Sequence, residues 1–213
     1  MKLYYLPVST YSQKALIALN EKELTFEPEI VVMFDEAARK KYREIYPIGK
    51  IPLLVLDDGY MIPESTIIVE YANEHSDKGP NLIPGDADNR RQVRFRDRMM
   101  DFYLNNPITT LFFESRKTKA EQDPDLIDKS HETINIMFDY LDDELADRTW
   151  TMGDDFTMAD CAAAAPLFYA QQLHPFDEKP NLDAYARRLF ERPSYQKVLA
   201  EALPMLDKMN DHS

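Results

Sequence analysis

Three short segments carry groups that can do chemistry together. The first is Ser9-Thr10-Tyr11-Ser12-Gln13-Lys14, directly after the apolar run Leu3-Tyr4-Tyr5-Leu6. Ser9 stands between a strand end and a helix start. A helix N-terminus presents N–H groups without intrahelical partners and a partial positive charge. It stabilises an anion, and a thiolate is such an anion. A hydroxyl from Ser9 adds a hydrogen bond to the sulfur, which lowers a thiol pKa from its reference near ~8.5. The second segment is Gly49-Lys50-Ile51-Pro52. A cis Ile-Pro bond just before a strand would turn the N–H and C=O of Ile51 outward, where they can pair with a peptide-like ligand. The third is Pro63-Glu64-Ser65-Thr66. The Ser65 hydroxyl and nearby N–H groups can receive a carboxylate, and Glu64 can accept from an ammonium. An α-amino-acid end carries both groups on one carbon. Each segment also has a plainer reading: Ser9 and Ser12 as turn and cap residues, and Glu64-Ser65 as an acidic first turn.

The elements that position these segments follow from periodicity. Residues 2–6 read as a strand and 10–20 as a helix, with Ala15, Leu16, Ala18 and Leu19 at helical spacing. Thr10-x-x-Gln13 reads as its capping box. Residues 26–32 and 53–56 are strands, and Asp58-Gly59 turns into a fourth at 60–62. Residues 36–45 and 65–75 are helical. The order βαβ, α, ββα gives a small sheet covered by helices. Asp77-Lys78-Gly79-Pro80 and Pro84-Gly85-Asp86 mark a linker. Beyond it the pattern is helical, over 89–105 with a kink or break at Pro107, then 125–145, 158–173, 182–191 and 195–203. The apolar stretch 158–173 is the central buried helix.

Composition narrows the function. The chain has 213 residues, 44% hydrophobic and 30% charged, with a formal net charge of −13. That acidity disfavours nucleic acid and anionic membrane surfaces. No apolar run approaches the ~18 residues of a membrane span, and the N-terminus lacks a signal-peptide core, which points to the cytoplasm. Cys161 is the only cysteine, so no intrachain disulfide and no Cys-rich metal site is expected. It reads as a buried packing residue. His75, His131, His174 and His212 show no ligand spacing and are assigned surface or structural roles. Arg94, Asp97, Arg98 and Asp101 form a charged helical face, read as solvated or as a dimer contact ahead of a reach to the ligand from a partner subunit.

The three segments occur in the right order on the right elements, and over nearly its whole length the chain resembles the cytosolic glutathione transferases. The likeness is to serine-type members, the bacterial, theta, delta and zeta kinds. Residues 5–12, Tyr-Leu-Pro-Val-Ser-Thr-Tyr-Ser, resemble their catalytic turn, with Ser9 at the thiolate-stabilising position. Tyr46-Pro47-Ile48-Gly49-Lys50-Ile51-Pro52 is similar to the family's Asn-Pro-x-Gly-x-Val-Pro loop. Residues 150–160 resemble its Gly-x-x-Phe-[Ser/Thr]-x-Ala-Asp segment, in which Thr157-x-x-Asp160 is a structural capping box. Thr10 and Tyr46 depart from the common proline and asparagine without removing a binding group. The first turn holds no cysteine, which counts against the cysteine-type members.

The resemblance implies an N-terminal α/β thioredoxin-like domain (βαβ-α-ββα, residues 1–78), a linker (79–87) and an all-α helical-bundle domain (88–213). It implies glutathione as cosubstrate, no metal, and conjugation of its thiolate to small apolar electrophiles. Ser9 is then the catalytic residue, and Ser9, Lys50, Ile51, cis Pro52, Glu64 and Ser65 bind glutathione. Tyr11 and Tyr103 contact the electrophile, with Met99, Met100, Leu104, Phe112 and Phe113 as further wall candidates. A homodimer is implied, through helices near 65–75 and 89–104. Two alternatives stand. One is a glutathione-dependent isomerase of maleylacetoacetate type, whose Ser-Ser-Cys-like turn Ser9-Thr10-Tyr11 does not match. The other is a non-catalytic scaffold or binding protein of the same fold, against which the retention of all three segments argues.

Overall fold

Alternation in Lys2–Tyr5 sends Leu3 and Tyr5 inward, and these residues form the central strand of a four-stranded sheet. The computed structural model describes residues 1–210. The strands are β1 (Lys2–Tyr5), β2 (Glu27–Ile30), β3 (Leu53–Val55) and β4 (Met61–Pro63), in the order β2-β1-β3-β4. β1 runs parallel to β2 and antiparallel to β3, and β3 is antiparallel to β4. The parallel pair requires a crossover, which α1 (Thr10–Glu21) supplies. β2 is shorter than the 26–32 expected. It carries Pro28, which an edge strand tolerates and a central one does not.

α1 packs on α3 (Ser65–His75). The capping box expected at Thr10 and Gln13 is not formed. The N-cap is Ser9, one residue earlier, and the Gln13 amide donates to the Pro7 carbonyl at 2.8 Å. α2 (Glu36–Ile45) buries Tyr42, which joins Val31 and Leu53 in a small core.

The chain divides into two compact units: residues 1–79 with the terminal helix, and residues 80–193. The terminal helix α9 (Pro193–Asn210) runs well beyond the 195–203 expected, through Pro204. The resemblance implies a helical domain spanning 88–213 that includes it, and its side chains bond residues of the first unit. Tyr195 donates to Gln13 Oε1 at 3.0 Å, and Tyr5 donates to Glu201 at 2.8 Å. Burial, then the Glu201 carboxylate, raises the Tyr5 pKa. Periodicity reports that a helix has an apolar face, not which unit covers it.

The second unit holds α4 (Ala87–Met99), a π-helical segment (Met100–Asn105), α5 (Asn106–Ser115), α6 (Pro124–Glu144), α7 (Met158–Leu173) and α8 (Pro180–Glu191). Pro107 does not break the helical run. The π-helical segment precedes it, with Asn106 N–H donating to the Asp101 carbonyl five residues back, and this widened turn accommodates the proline's missing donor. The charged face at 94–101 is not solvated throughout. Arg94 and Arg98 are exposed, whereas Asp97 is fully buried and Asp101 nearly so. α7 packs against α4, the π-helical segment, α5 and α8, its alanines allowing close approach on several sides. Cys161 is buried within it.

His75 bonds the Tyr71 carbonyl, and His131 and His174 meet across α6 and the end of α7. His212 lies outside the described residues. No described helix is long and apolar enough to cross a membrane.

Candidate active site

The sheet register draws the three chemical segments to one end of the sheet. Tyr4 pairs with Leu53, so the exit of β1 lies beside the entry of β3. Leu53 pairs with Pro63, so the exit of β4 lies there too. The Ser9 turn leaves β1, Ile51-Pro52 leads into β3, and Glu64-Ser65 leaves β4. Segments as distant in sequence as Ser9 and Glu64 are thereby gathered by two antiparallel pairings.

The Ser9 turn is closed by its own chain. Ser9 N–H donates to the Leu6 carbonyl at 2.9 Å. Ser12 is fully buried, and its Oγ accepts the Leu6 N–H at 3.3 Å, so this hydroxyl faces inward. Ser9 and Tyr11 are partly exposed. Ser9 Oγ accepts the Ser12 N–H over a long 3.4 Å. That bond uses an acceptor lone pair and leaves the hydroxyl's own hydrogen to donate outward. The helical ladder begins with Gln13 N–H on the Ser9 carbonyl, so the first-turn N–H groups precede it.

The second segment needs its glycine. Gly49 has φ +66°, and Arg43 side-chain atoms lie 2.9–3.0 Å from where a Cβ would stand. Tyr42 then donates to the Lys50 carbonyl at 2.8 Å from a buried position. Burial pushes the Tyr42 phenol pKa well above its usual range, so it remains a donor at any ordinary pH. The Ile51-Pro52 bond is cis. Pro52 is buried, Ile51 half-buried and Lys50 exposed. β3 starts two residues after Ile51, whose main chain stands outside the strand.

At the third segment Glu64 has φ +71° and ψ +127°. A non-glycine residue held there costs on the order of 1–3 kcal/mol. Glu23, the other non-glycine with positive φ, directly follows the C-cap of α1, where left-handed backbone is ordinary. Glu64 instead precedes α3, makes no capping bond, and projects an exposed carboxylate beside the buried Ser65. The first turn of α3 thus begins without the side-chain cap that most helices carry.

The second-unit candidates separate. Met100 and Leu104 are core residues and Met99 is nearly buried, whereas Tyr103 is 57% and Phe113 61% exposed. Phe112 meets Phe113 edge-on at 5.5 Å and also touches Tyr169. Sequence reasoning missed Tyr42 and the inward role of Gln13. The lone aromatic on the polar stretch 36–45 was the available signal for Tyr42. Among the described residues no cluster of three or more metal-ligating side chains occurs.

Comparison with known proteins agrees with this architecture. Residues 3–80 match the glutathione S-transferase N-terminal domain and residues 104–193 the glutathione S-transferase C-terminal domain. The chain is 27% identical over 209 residues to glutathione S-transferase F6 of Arabidopsis thaliana, covering 93% of this chain and 99% of that one. It is 28% identical over 205 residues to a stringent starvation protein A homolog of Coxiella burnetii, covering 95% and 92%. A crystal structure of a glutathione S-transferase from Methylobacillus flagellatus with glutathione bound superposes with a TM-score of 0.83 at 27% identity, covering 92% and 98%. The chain belongs to the glutathione S-transferase family: a thioredoxin-like domain followed by a helical one, in a family of transferases that use glutathione.

Proposed function

We propose that this chain is a serine-type glutathione transferase that joins glutathione thiolate to small apolar electrophiles. The observation that carries the reading is the convergence of the Ser9 turn, Ile51-Pro52 and Glu64-Ser65 on one sheet end. In this reading Ser9 donates its O–H to the sulfur, and the first turn of α1 adds its partial positive charge. The thiolate attacks an electrophilic carbon and the new C–S bond forms; in substitution the leaving group departs with its electron pair, and in addition the π bond of the electrophile breaks and its electron pair takes up a proton. Ile51 pairs its main chain with the cysteinyl portion, held in place by Tyr42 through Lys50. Ser65 and the first turn of α3 receive the γ-glutamyl carboxylate, Glu64 accepts from its ammonium, and Lys50 meets the glycyl end. Tyr11, partly exposed beside Ser9, contacts the electrophile. Exposed Ile67 on α3, and Phe95 and Phe102 in the second unit, support a homodimer, checked by light scattering at micromolar concentration. We place the enzyme in the cytoplasm.

The test is a glutathione titration followed by ultraviolet difference absorbance. Wild type should saturate and show a thiolate band at neutral pH, while Ser9→Ala should bind with similar affinity and lose the band. One rival is a binding protein of the same fold that conjugates nothing. Saturation without a band in wild type would point to a glutathione-dependent enzyme of another kind or to a carrier, and no binding at millimolar glutathione would favour the scaffold.

A further inference from the structure

Lys14 lies on α1, five residues after Ser9, and is 1% exposed. Burying a lysine is costly unless polar groups compensate. Its Nζ donates to the Thr66 hydroxyl at 2.8 Å. Thr66 is the second residue of α3, directly after Ser65. The packing of α1 on α3 therefore puts a lysine nitrogen against the inner side of the turn that receives a carboxylate in the reading above. The same side chain links the helix that begins after Ser9 to the helix that begins after Glu64. In that reading they hold the sulfur and the γ-glutamyl end of glutathione. An apolar residue would meet the packing need alone, since replacing buried charge with hydrocarbon is often neutral or stabilising.

We propose that Lys14 is a positioning and specificity residue. It fixes the first turn of α3 against α1 and adds positive charge behind the carboxylate subsite, selecting thiols that carry the γ-glutamyl α-carboxylate. The proposal rests on the glutathione reading of the site. Its test compares wild type, Lys14→Met, Lys14→Arg and Thr66→Val by calorimetric titration with two probes: glutathione, and an analogue lacking only the γ-glutamyl α-carboxylate. Wild type should prefer glutathione. Lys14→Met should lose about tenfold in glutathione affinity, or ~1.4 kcal/mol, with the analogue nearly unchanged. Lys14→Arg should retain part of the preference. Thr66→Val should weaken it with Lys14 in place, and decides alone if Lys14→Met does not fold. In steady state KM for glutathione should rise with kcat little changed. A wild type that binds glutathione, with the preference intact in the variants, overturns the role of Lys14. A wild type that binds neither probe overturns the site reading itself.

Discussion

Two helices in this chain begin after a hydroxyl residue, and they are finished in opposite ways. At α7 the cap is sealed. Asp160 accepts from the N–H and hydroxyl of Thr157, the N–H and hydroxyl of Thr151, and the Tyr185 phenol, at 2.7–3.0 Å. Met158 N–H, in the first turn, goes to the Leu82 carbonyl. Asp160 is wholly buried; burial pushes its pKa up and these donors oppose the push. At α1 the cap is left open. Ser9 is partly exposed, accepts one long bond, and keeps its hydrogen. A helix N-terminus whose donors are all consumed inside holds the fold, whereas one that still faces outward can hold an anion.

The sharpest way to break this contrast is Asp160→Ala. It leaves five donors in a buried pocket without their acceptor, and should cost about 3–5 kcal/mol of stability. The check is the urea midpoint with the slope held constant. A loss under ~1 kcal/mol would mean that the sealed cap is not structural. Ser9→Ala should do the reverse. Its cap bond is long, so stability should fall by no more than about 1 kcal/mol. Turnover should fall on the order of 100-fold, the scale of removing one donor to a developing or stabilised anion. If stability collapsed instead, Ser9 would belong with Asp160.

The contrast also marks what a sequence displays. The open cap, Gly49 and the Thr157-x-x-Asp160 box are local signals, because left-handed backbone and caps are set by neighbours within a few residues, whereas the cis form of Ile51-Pro52 was implied by the family resemblance and not by the dipeptide. The order of strands and helices followed from the same short-range rules. Four features were not legible: Tyr42 on the Lys50 carbonyl, Lys14 on Thr66, the burial of Asp97, and the packing of α9 with the first unit. Each depends on which surface covers a side chain, which local pattern leaves open. The capping box at Thr10 and Gln13 failed for that reason. Gln13 is drawn to Pro7 and to Tyr195, 182 residues away in sequence, so the cap falls on Ser9.

Tyr42 offers an intermediate case, a buried group whose effect should surface at the open site. Tyr42→Phe removes only the hydroxyl on the Lys50 carbonyl, and should cost about 1 kcal/mol of stability. In the glutathione reading, KM for glutathione should also rise a few-fold with kcat nearly constant, since Ile51 loses a support rather than the sulfur losing a donor. An unchanged KM in kinetic assays would detach Tyr42 from the site.

The smallest effect expected concerns pH and the second unit. His131 and His174 meet Nδ1 to Nδ1 at 2.6 Å, while His174 Nε2 bonds Asn135 Oδ1 at 2.7 Å. Asn135 Oδ1 only accepts, so His174 carries its hydrogen on Nε2, and its neutral Nδ1 accepts from His131. Burial first, and the neighbouring His131 second, lower the His174 pKa below 6.5. The unfolded chain then binds this proton more readily than the native one. The contribution is complete above pH ~6.5 and is lost as pH falls from there through the lowered native value. Many groups titrate in this window, so the useful quantity is a difference. Wild type should lose more stability between pH 7.5 and 5.5 than His174→Asn, measured by urea unfolding at both values. Equal losses would show that the pair is a contact without linkage to protons, and the second unit would then owe its acid sensitivity to other groups.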